Sequence, residues 1–211
     1  MRRDAMDVSA AILKRTSIRK FKPDPVEKAK LQKILEAGRR APSWGNTQPW
    51  RFIVIQDKAR REAIAAAAGQ PGIGAAPVLI VGCATTEDFT KKGHLEALRS
   101  LIPAGAMTEE FANIVLQNEV FAPYLKGDSV MTVRAGEQLM IAFAYMTLEA
   151  VNQGLGTCWA GAITPKEVQK MLNLPPSIFI HSMLPVGYAD EDPKPRPRKA
   201  ENKVIFWEKY A

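Results

Sequence analysis

One long, strongly apolar helical segment restricts the fold of this chain more than any other feature. The segment covers residues 133–154, and every position from Leu139 to Leu148 except Thr147 carries an apolar or aromatic side chain. A helix that is apolar on all sides must be buried on all sides. Either the core of a monomer or a dimer interface would bury it, and in a chain of 211 residues we favour the dimer interface.

Helical and strand patterns alternate along the rest of the chain. Asp24 and Pro25 are typical of an N-cap and a first helical position, and they predict a helix that runs to about Arg40. A capping box at Thr164 predicts the start of another helix. Further helices are predicted over residues 7–16 and 58–68, strands over 50–56, 78–84, 157–162 and 177–189, and a strand or arm over 204–210.

Residues 87–132 contain helical stretches and little strand character, so we interpret them as a helical excursion or lid. Strands lie among helices along the whole sequence. The pattern therefore predicts a single layered domain of the α/β or α+β class over residues 1–211.

Composition excludes several classes of protein. No apolar run approaches the ~20 residues needed to span a bilayer, and the N-terminus lacks the long apolar core and cleavage site of a signal peptide. Cys83 and Cys158 lie far apart in apolar runs, a spacing that fits neither a disulfide framework nor a metal site. We expect buried, reduced thiols in a cytoplasmic protein with no metal and no membrane partner.

The positive charge is concentrated at the two ends of the chain. The formal net charge is +7, made up of +10 over residues 1–61, −7 over 62–192 and +4 over 193–211. A basic surface of this kind could bind nucleic acid through phosphates. Alternatively, the two ends could meet and hold a small phosphorylated ligand. No helix-turn-helix or aromatic RNA-binding motif supports the first alternative.

Two arginine-containing segments suit a phosphate group. RTSIRKF, residues 15–21, places Arg15, Ser17 and Arg19 where a helix gives way to extended chain. Arginine forks and short hydroxyl donors are common phosphate ligands. PRPR, residues 195–198, brings two more arginines from the other end. Each segment alone could equally be a helix cap or a solvated tail.

Two further segments suit a flat ligand. APSWGNTQPWRF, residues 41–52, concentrates small, amide and tryptophan residues in one loop, which offers hydrogen bonds to a polar ring. GLGTCWAGAI, residues 154–163, has glycines that let the backbone approach a ligand closely. An ordinary helix-to-strand connection and a tight turn are the alternative interpretations.

The sequence supplies cations and hydrogen-bond donors but few candidate acids, bases or nucleophiles. With two histidines, no Ser/His/Asp set can be assembled, and no GxGxxG motif or pair of carboxylates stands out. A protein of this kind is expected to rely on a cofactor for its chemistry.

Taken in order, the four segments resemble the nitroreductase family of flavoproteins, over nearly the whole chain. The resemblance implies an α+β fold, a three-layer α/β/α sandwich whose central, mostly antiparallel sheet is flanked by helices. It also implies a homodimer with FMN at two interfacial sites and a swapped C-terminal arm, residues 199–211.

The resemblance also implies a set of FMN-binding residues. Arg15 and Ser17 would lie on the phosphate side and Arg19 near the ribityl or pyrimidine region, while Arg196 and Arg198 would close on the phosphate. The complete set is Arg15, Thr16, Ser17, Arg19, Pro42, Ser43, Trp44, Asn46, Trp159, Ala160, Gly161, Arg196 and Arg198. The residues from Pro42 to Asn46 would come from the partner chain.

The activity implied is reduction of a small electron-poor substrate, such as a nitroaromatic or a quinone, with NADH or NADPH as the donor. Donor and acceptor would react in turn at the flavin, with no catalytic side chain and no nucleic-acid partner. A narrower activity in the same family (dehalogenase, enoate or aldehyde reductase, flavin-consuming enzyme), a flavin-binding sensor and a basic nucleic-acid-binding module are the alternatives.

Two positions depart from the family pattern. Thr16 stands where a second arginine is common, and Trp44 stands where serine is common. Because tryptophan is larger than serine, Trp44 raises the question of whether the FMN pocket is narrower here than in the family.

Overall fold

The computed structural model describes residues 6–117 and 128–210. Its centre is a four-stranded antiparallel sheet in the order β1-β2-β4-β3. The strands are β1 Trp50–Ile55, β2 Val78–Thr85, β3 Gly156–Thr157 and β4 Ile178–Gly187. The helices are α1 Val8–Lys14, α2 Lys28–Arg39, α3 Lys58–Ala67, α4 Lys91–Arg99, α5 Glu109–Gln117, α6 Asp128–Asn152 and α7 Pro165–Met171.

Helices cover both faces of the sheet. All eight residues of β2 are buried, as expected for a continuous apolar run in a strand covered on both sides. One core cluster joins the sheet to α2 and α6 through Ile34, Phe143 and Leu184, all fully buried. A second cluster on the opposite face joins the sheet to α3 and α7. The predicted α+β, three-layer architecture is confirmed.

Helix α6 is the central helix of this core. Leu139, Phe143 and Met146 are inaccessible to solvent, and Met146 packs directly over Gly38 of α2, where a Cβ would come within 2.2 Å of it. The remaining face is only partly covered, and Tyr145 is 44% exposed. Within one protomer, then, α6 is a core helix with an incompletely covered apolar face.

Several predicted boundaries differ from the structure, among them the start of α6, which lies at Asp128 rather than at residue 133. Helix α2 begins at Lys28 with Glu27 as N-cap, not at Asp24 and Pro25, because the intervening Val26 is buried in the core and this packing outweighs the local capping pattern. The strand predicted over 157–162 is confined to Gly156–Thr157, with one isolated bridge from Ala160 to Met183.

A further difference lies at the C-terminus, where a strand or an arm was predicted and the strand is absent. Residues 204–210 form no strand and follow a short 3-10 turn, Glu201–Lys203. They have no neighbouring strand in the described chain with which to pair. Part of the predicted excursion, residues 118–127, lies outside the described residues, and the rest contains α4, α5 and the start of α6. Within the described ranges, no helix combines the length and the apolar character that a membrane span requires.

Candidate functional site

The segment RTSIRKF lies as an extended strip across the edge of the sheet. Helix α1 ends at Lys14, and the Ile18 N–H then donates to the Thr157 carbonyl at 2.9 Å. Further along, the Lys22 N–H donates to the Tyr188 carbonyl, also at 2.9 Å. The strip is thus fixed between β3 and the end of β4, which brings the N-terminal motif beside the beginning of the basic C-terminal segment.

Glu191 anchors this strip, and sequence reasoning missed it. Its carboxylate accepts hydrogen bonds from the backbone N–H groups of Arg19 and, at 3.1 Å, of Lys20. These bonds, that from Arg19 above all, lower the pKa of Glu191. The residue lies in a short acidic run, residues 190–192, just before the PRPR segment. Nothing in this local pattern indicates that its side chain accepts hydrogen bonds from the backbone.

A glycine lets the strip approach β3 closely. A Cβ at Gly156 would come within 2.6 Å of the Ile18 side chain, a separation that real Cβ atoms do not tolerate. The GLGT motif therefore serves close packing of backbone against a side chain, as the sequence suggested, but the partner is Ile18.

Two neighbouring cavities beside the strip share two lining residues, and together we call them the cleft. The first, about 440 Å³, is lined by Arg15, Ser17, Ala144, Thr147, Leu148, Thr157, Cys158 and Trp159. The second, about 280 Å³, is lined by Ile18, Arg19, Phe21, Gln70, Gly72, Ile73, Cys158, Trp159, Ala160, Gly161, Ala162 and Pro185. Cys158 and Trp159 belong to both walls. Six of the predicted site residues, Arg15, Ser17, Arg19, Trp159, Ala160 and Gly161, therefore lie around one cleft.

The indole of Trp159 is fixed at the boundary between the two cavities. Its Nε1–H donates to Thr147 Oγ1 at 2.8 Å, and the Thr147 hydroxyl donates in turn to the Phe143 carbonyl at 2.7 Å. The ring also packs edge-on against Phe143. Thr147 is a second residue missed from sequence, where it was only one polar position in an apolar helix.

The outer wall of the second cavity is held by two further residues. The buried Arg61 donates to the carbonyls of Gly74, at 2.6 Å, and Ala76, which fixes the turn Pro71–Ala75. Gln70 Nε2 donates to the Ala162 carbonyl at 2.8 Å, joining that turn to the glycine-rich segment.

The other loop predicted from sequence, residues 42–46, lies elsewhere in the protomer. The Trp44 N–H donates to Gln138 Oε1 of α6 at 2.8 Å. Gln138 and Thr147 are nine residues apart on this helix, which is about 13 Å along its axis. The predicted site residues therefore form two groups at two positions along α6, and one protomer does not bring them together.

The Trp44 ring packs within its own chain. It stacks on Phe89, with 6.0 Å between centroids, and contacts the edge of His94 at 4.5 Å. Both partners belong to the segment 87–132. The ring thus helps to anchor α4 rather than lining the cleft of its own protomer.

Three other predicted residues lie away from the cleft. Thr16 lines a separate cavity, with Lys14 and Glu191, and its buried Oγ1 has no hydrogen-bond partner among the described residues. A contact from Thr16 into the cleft would have to come from its main chain. Arg196 and Arg198 are exposed, and Arg198 donates to carbonyls of its own segment.

The titratable groups of the described chain offer little acid–base chemistry to the cleft. Burial lowers the pKa of His94 and of His181, and burial raises the pKa of the Cys83 thiol to about 12. Cys158 is unpaired and only partly buried, contrary to the expectation that both thiols are buried. No group of His, Cys, Asp and Glu within residues 6–117 and 128–210 could hold a metal ion.

Known proteins resemble this chain in sequence and in fold. The model of the Nitroreductase family matches residues 12–188, more than four fifths of the chain. The chain belongs to this family. A Thermus thermophilus protein named NADH dehydrogenase is 34% identical over 205 residues, which are 96% of each protein. A Bacillus subtilis protein named FMN reductase, NAD(P)H, is 33% identical, and the match covers 97% of this chain and 74% of that protein.

A solved structure confirms the family fold. A crystal structure from Exiguobacterium sibiricum, described as a nitroreductase in complex with FMN, superposes with a TM-score of 0.80 at 20% identity. The superposition covers 97% of this chain and 98% of the other. Residues 12–188 of the family match include the strip, the 42–46 loop and the glycine-rich segment, but end before Arg196 and Arg198.

Proposed function

We propose that this member of the Nitroreductase family is an FMN-dependent oxidoreductase. In this proposal it takes hydride from NADH or NADPH and reduces small electron-poor acceptors such as nitroaromatics and quinones. The observation that carries the proposal is the cleft, whose first cavity is lined by Arg15 and Ser17 and whose second is lined by Arg19, Ala160 and Gly161. The names of the Thermus and Bacillus relatives support the same chemistry.

The residues of the cleft fit FMN. Arg15 and Ser17 supply a guanidinium and a hydroxyl at the first cavity, which suits a phosphate. Ala144, Leu148 and Trp159 give that cavity an apolar wall, which suits the face of an aromatic ring system. Bound FMN supplies hydride and electron transfer between donor and acceptor.

The chain's own residues orient the cofactor and set its electrostatics. Arg19, fixed through its backbone by Glu191, places positive charge at the second cavity, where it favours binding of an anionic ring. The Ala160 N–H is engaged with the Met183 carbonyl at 2.9 Å, which holds the glycine-rich wall rigid. A single cleft of this size supports donor and acceptor binding in turn.

A homodimer would unite the two groups of predicted residues. In this proposal the 42–46 loop of one protomer, with Pro42, Ser43, Trp44 and Asn46, completes the cleft of its partner. The apolar side chains left exposed on the protomer support it: Val8, Ile12 and Leu13 on α1, Tyr145 on α6, and Val204, Ile205, Trp207 and Tyr210 near the C-terminus.

The C-terminal segment would also reach the partner in this proposal. Residues 199–211 would be the arm that embraces the partner, with Arg196 and Arg198 closing on the phosphate. Residues 87–132 would cover the mouth of the cleft.

An FMN titration of an Arg19→Ala variant tests the proposal. We expect weaker FMN binding than in the wild type, because the cleft loses a cation. Arg60→Ala is the matched control, since Arg60 is exposed on α3 and lines neither cavity. Equal FMN affinity and equal reduction rates in the two variants would contradict the assigned role of Arg19.

A further inference from the structure

The loop between Ser43 and Gln48 has an unusual backbone. Gly45, Asn46 and Gln48 all adopt the left-handed conformation, with φ of 54°, 56° and 45°. Asparagine tolerates this region better than most residues, whereas glutamine is rare there. Such backbone persists only where surrounding contacts impose it.

Helix α4 supplies two of those contacts. Asn46 Nδ2 donates to Ser100 Oγ, at the C-cap of α4, at 2.9 Å. The His94 ring of the same helix lies against Gly45, where a Cβ would come within 2.8 Å of Nε2. Only glycine fits beneath this ring, so His94 and Gly45 are matched in shape.

Two other contacts come from outside α4. The Gln48 N–H donates to Ser43 Oγ at 3.0 Å, within the loop, and Gln138 accepts from the Trp44 N–H. Neither reaches the Asn46 side chain. Ser100 is therefore the contact from another element that directs this amide.

Asn46 retains hydrogen-bonding capacity after these contacts. Its Oδ1 accepts from Gln48 Nε2 at 3.0 Å, and one N–H of its Nδ2 donates to Ser100 Oγ. An amide has two N–H groups and two acceptor sites on oxygen, so one of each is left to meet a ligand. Ser100 Oγ donates to the Ala97 carbonyl at 2.6 Å, which turns its lone pairs toward Asn46.

We propose that Ser100 is a positioning residue that acts through Asn46, and that α4 thereby sets the conformation of the 43–48 loop. The inference rests on the proposed function, in which this loop completes a flavin site. It gives the segment 87–132 a second role besides covering the cleft, because a change in the placement of α4 would alter cofactor binding.

A double-mutant cycle on FMN affinity tests the inference, using the full-length protein with Ser100→Ala, Asn46→Ala and both together. Loss of one hydrogen bond predicts that Ser100→Ala weakens FMN binding roughly 3- to 10-fold. In the Asn46→Ala background, the same substitution should change affinity less than about 2-fold, because coupled residues are not additive. If Ser100→Ala weakened FMN binding equally in the wild type and in the Asn46→Ala variant, the inference would be overturned.

The control separates positioning from helix stability. Thr90 caps the N-terminus of α4 by accepting from the Gly93 N–H at 3.1 Å and contacts the opposite end of the helix from Ser100. Thr90→Ala should weaken the N-terminal turn of α4 without displacing Ser100 at its C-cap, and should therefore leave FMN affinity near the wild-type value. A loss of affinity equal to that of Ser100→Ala would show that helix stability alone is responsible.

Amide hydrogen exchange without FMN gives a second readout. Ser100→Ala should speed exchange of the Gln48 amide, and unchanged exchange would overturn the inference. If the wild type binds no FMN, the proposed function fails, and exchange still decides whether Ser100 holds the loop.

Discussion

Trp159 Nε1 donates a 2.8 Å hydrogen bond to Thr147 Oγ1, and this bond ties the wall of the cleft to the central helix. Thr147 is 2% exposed, whereas Trp159 is 44% exposed. The hydrogen-bond acceptor therefore lies inside the core, and the exposed aromatic ring that it holds lies at the cleft. The position of the indole therefore depends on the Thr147 hydroxyl, which is almost inaccessible from the cleft.

Replacing Thr147 with valine should release this ring. Valine keeps the shape of threonine and removes the hydroxyl, so the indole N–H loses its partner. We expect a loss of about 0.5–1.5 kcal/mol in the free energy of unfolding and a red shift in Trp159 fluorescence. Thr147→Ser, which keeps the hydroxyl, should preserve the wild-type emission. Wild-type fluorescence in the valine variant would show that the hydrogen bond does not fix the ring.

Glu191 should make the anchoring of the strip sensitive to acid. Its pKa is lowered from 4.5 in the folded protein by the N–H groups of Arg19 and Lys20, so its ionised form favours folding above that value. This contribution is lost as the pH falls from about 4.5 through the lowered pKa. Exchange of the Arg19 amide should accelerate over that range in the wild type. Glu191→Gln, which cannot ionise, should not show this step, and an identical step in both proteins would exclude Glu191 as its source.

Gly156→Ala should displace the strip that carries Arg15 and Arg19. The new Cβ would overlap Ile18, and overpacking of this kind costs about 1–3 kcal/mol of stability. Gly72→Ala is the control, since a Cβ there meets nothing within 4 Å. Chemical denaturation measures both, and Ile18→Ala should cost less stability in the Gly156→Ala background than in the wild type, because the two residues are in contact. Equal stability of the two single variants would mean that the strip does not need this close approach.

Two histidines, the buried His94 and the partly buried His181, should weaken the fold at mildly acidic pH. Burial lowers the pKa of His94 and of His181 below 6.5, so the unfolded chain binds protons first as the pH falls. Stability should therefore decrease as the pH drops below about 6.5. Replacing His94 by phenylalanine should make the slope of the unfolding free energy against pH smaller and leave only the contribution of His181. Urea unfolding at pH 7.5 and 5.5 gives the comparison; an unchanged slope would mean that His94 does not titrate in this range.

The sequence predicts best where the signal is local and strong. The apolar run of β2 and the length of α6 identify buried elements directly, and α6 does pack at the centre of the core. The arginines and glycines of the cleft are recognised because their spacing along the chain is itself informative. Arg15, Arg19 and Gly161 accordingly line the cleft.

Prediction fails where long-range packing decides. Asp24 and Pro25 offer a good local helix start, but burial of Val26 moves the start of α2 to Lys28. Glu191 and Thr147 act on partners 172 and 12 positions away, and no local pattern announces such contacts. The separation of the 42–46 loop from the cleft likewise depends on tertiary packing, because the loop contacts α6 at Gln138 and the cleft contacts it at Thr147.

The most direct test of the proposed function is an absorbance spectrum of the purified protein loaded with FMN, recorded before and after anaerobic addition of NADH or NADPH. We expect flavin bands near ~375 and ~450 nm that bleach on addition of the donor, with the faster donor revealing the preference. A protein that retains flavin but is not bleached by either donor would be a flavin-binding protein without this activity. A protein that cannot be loaded with FMN would contradict the account, and its basic ends would then require another anionic partner such as nucleic acid.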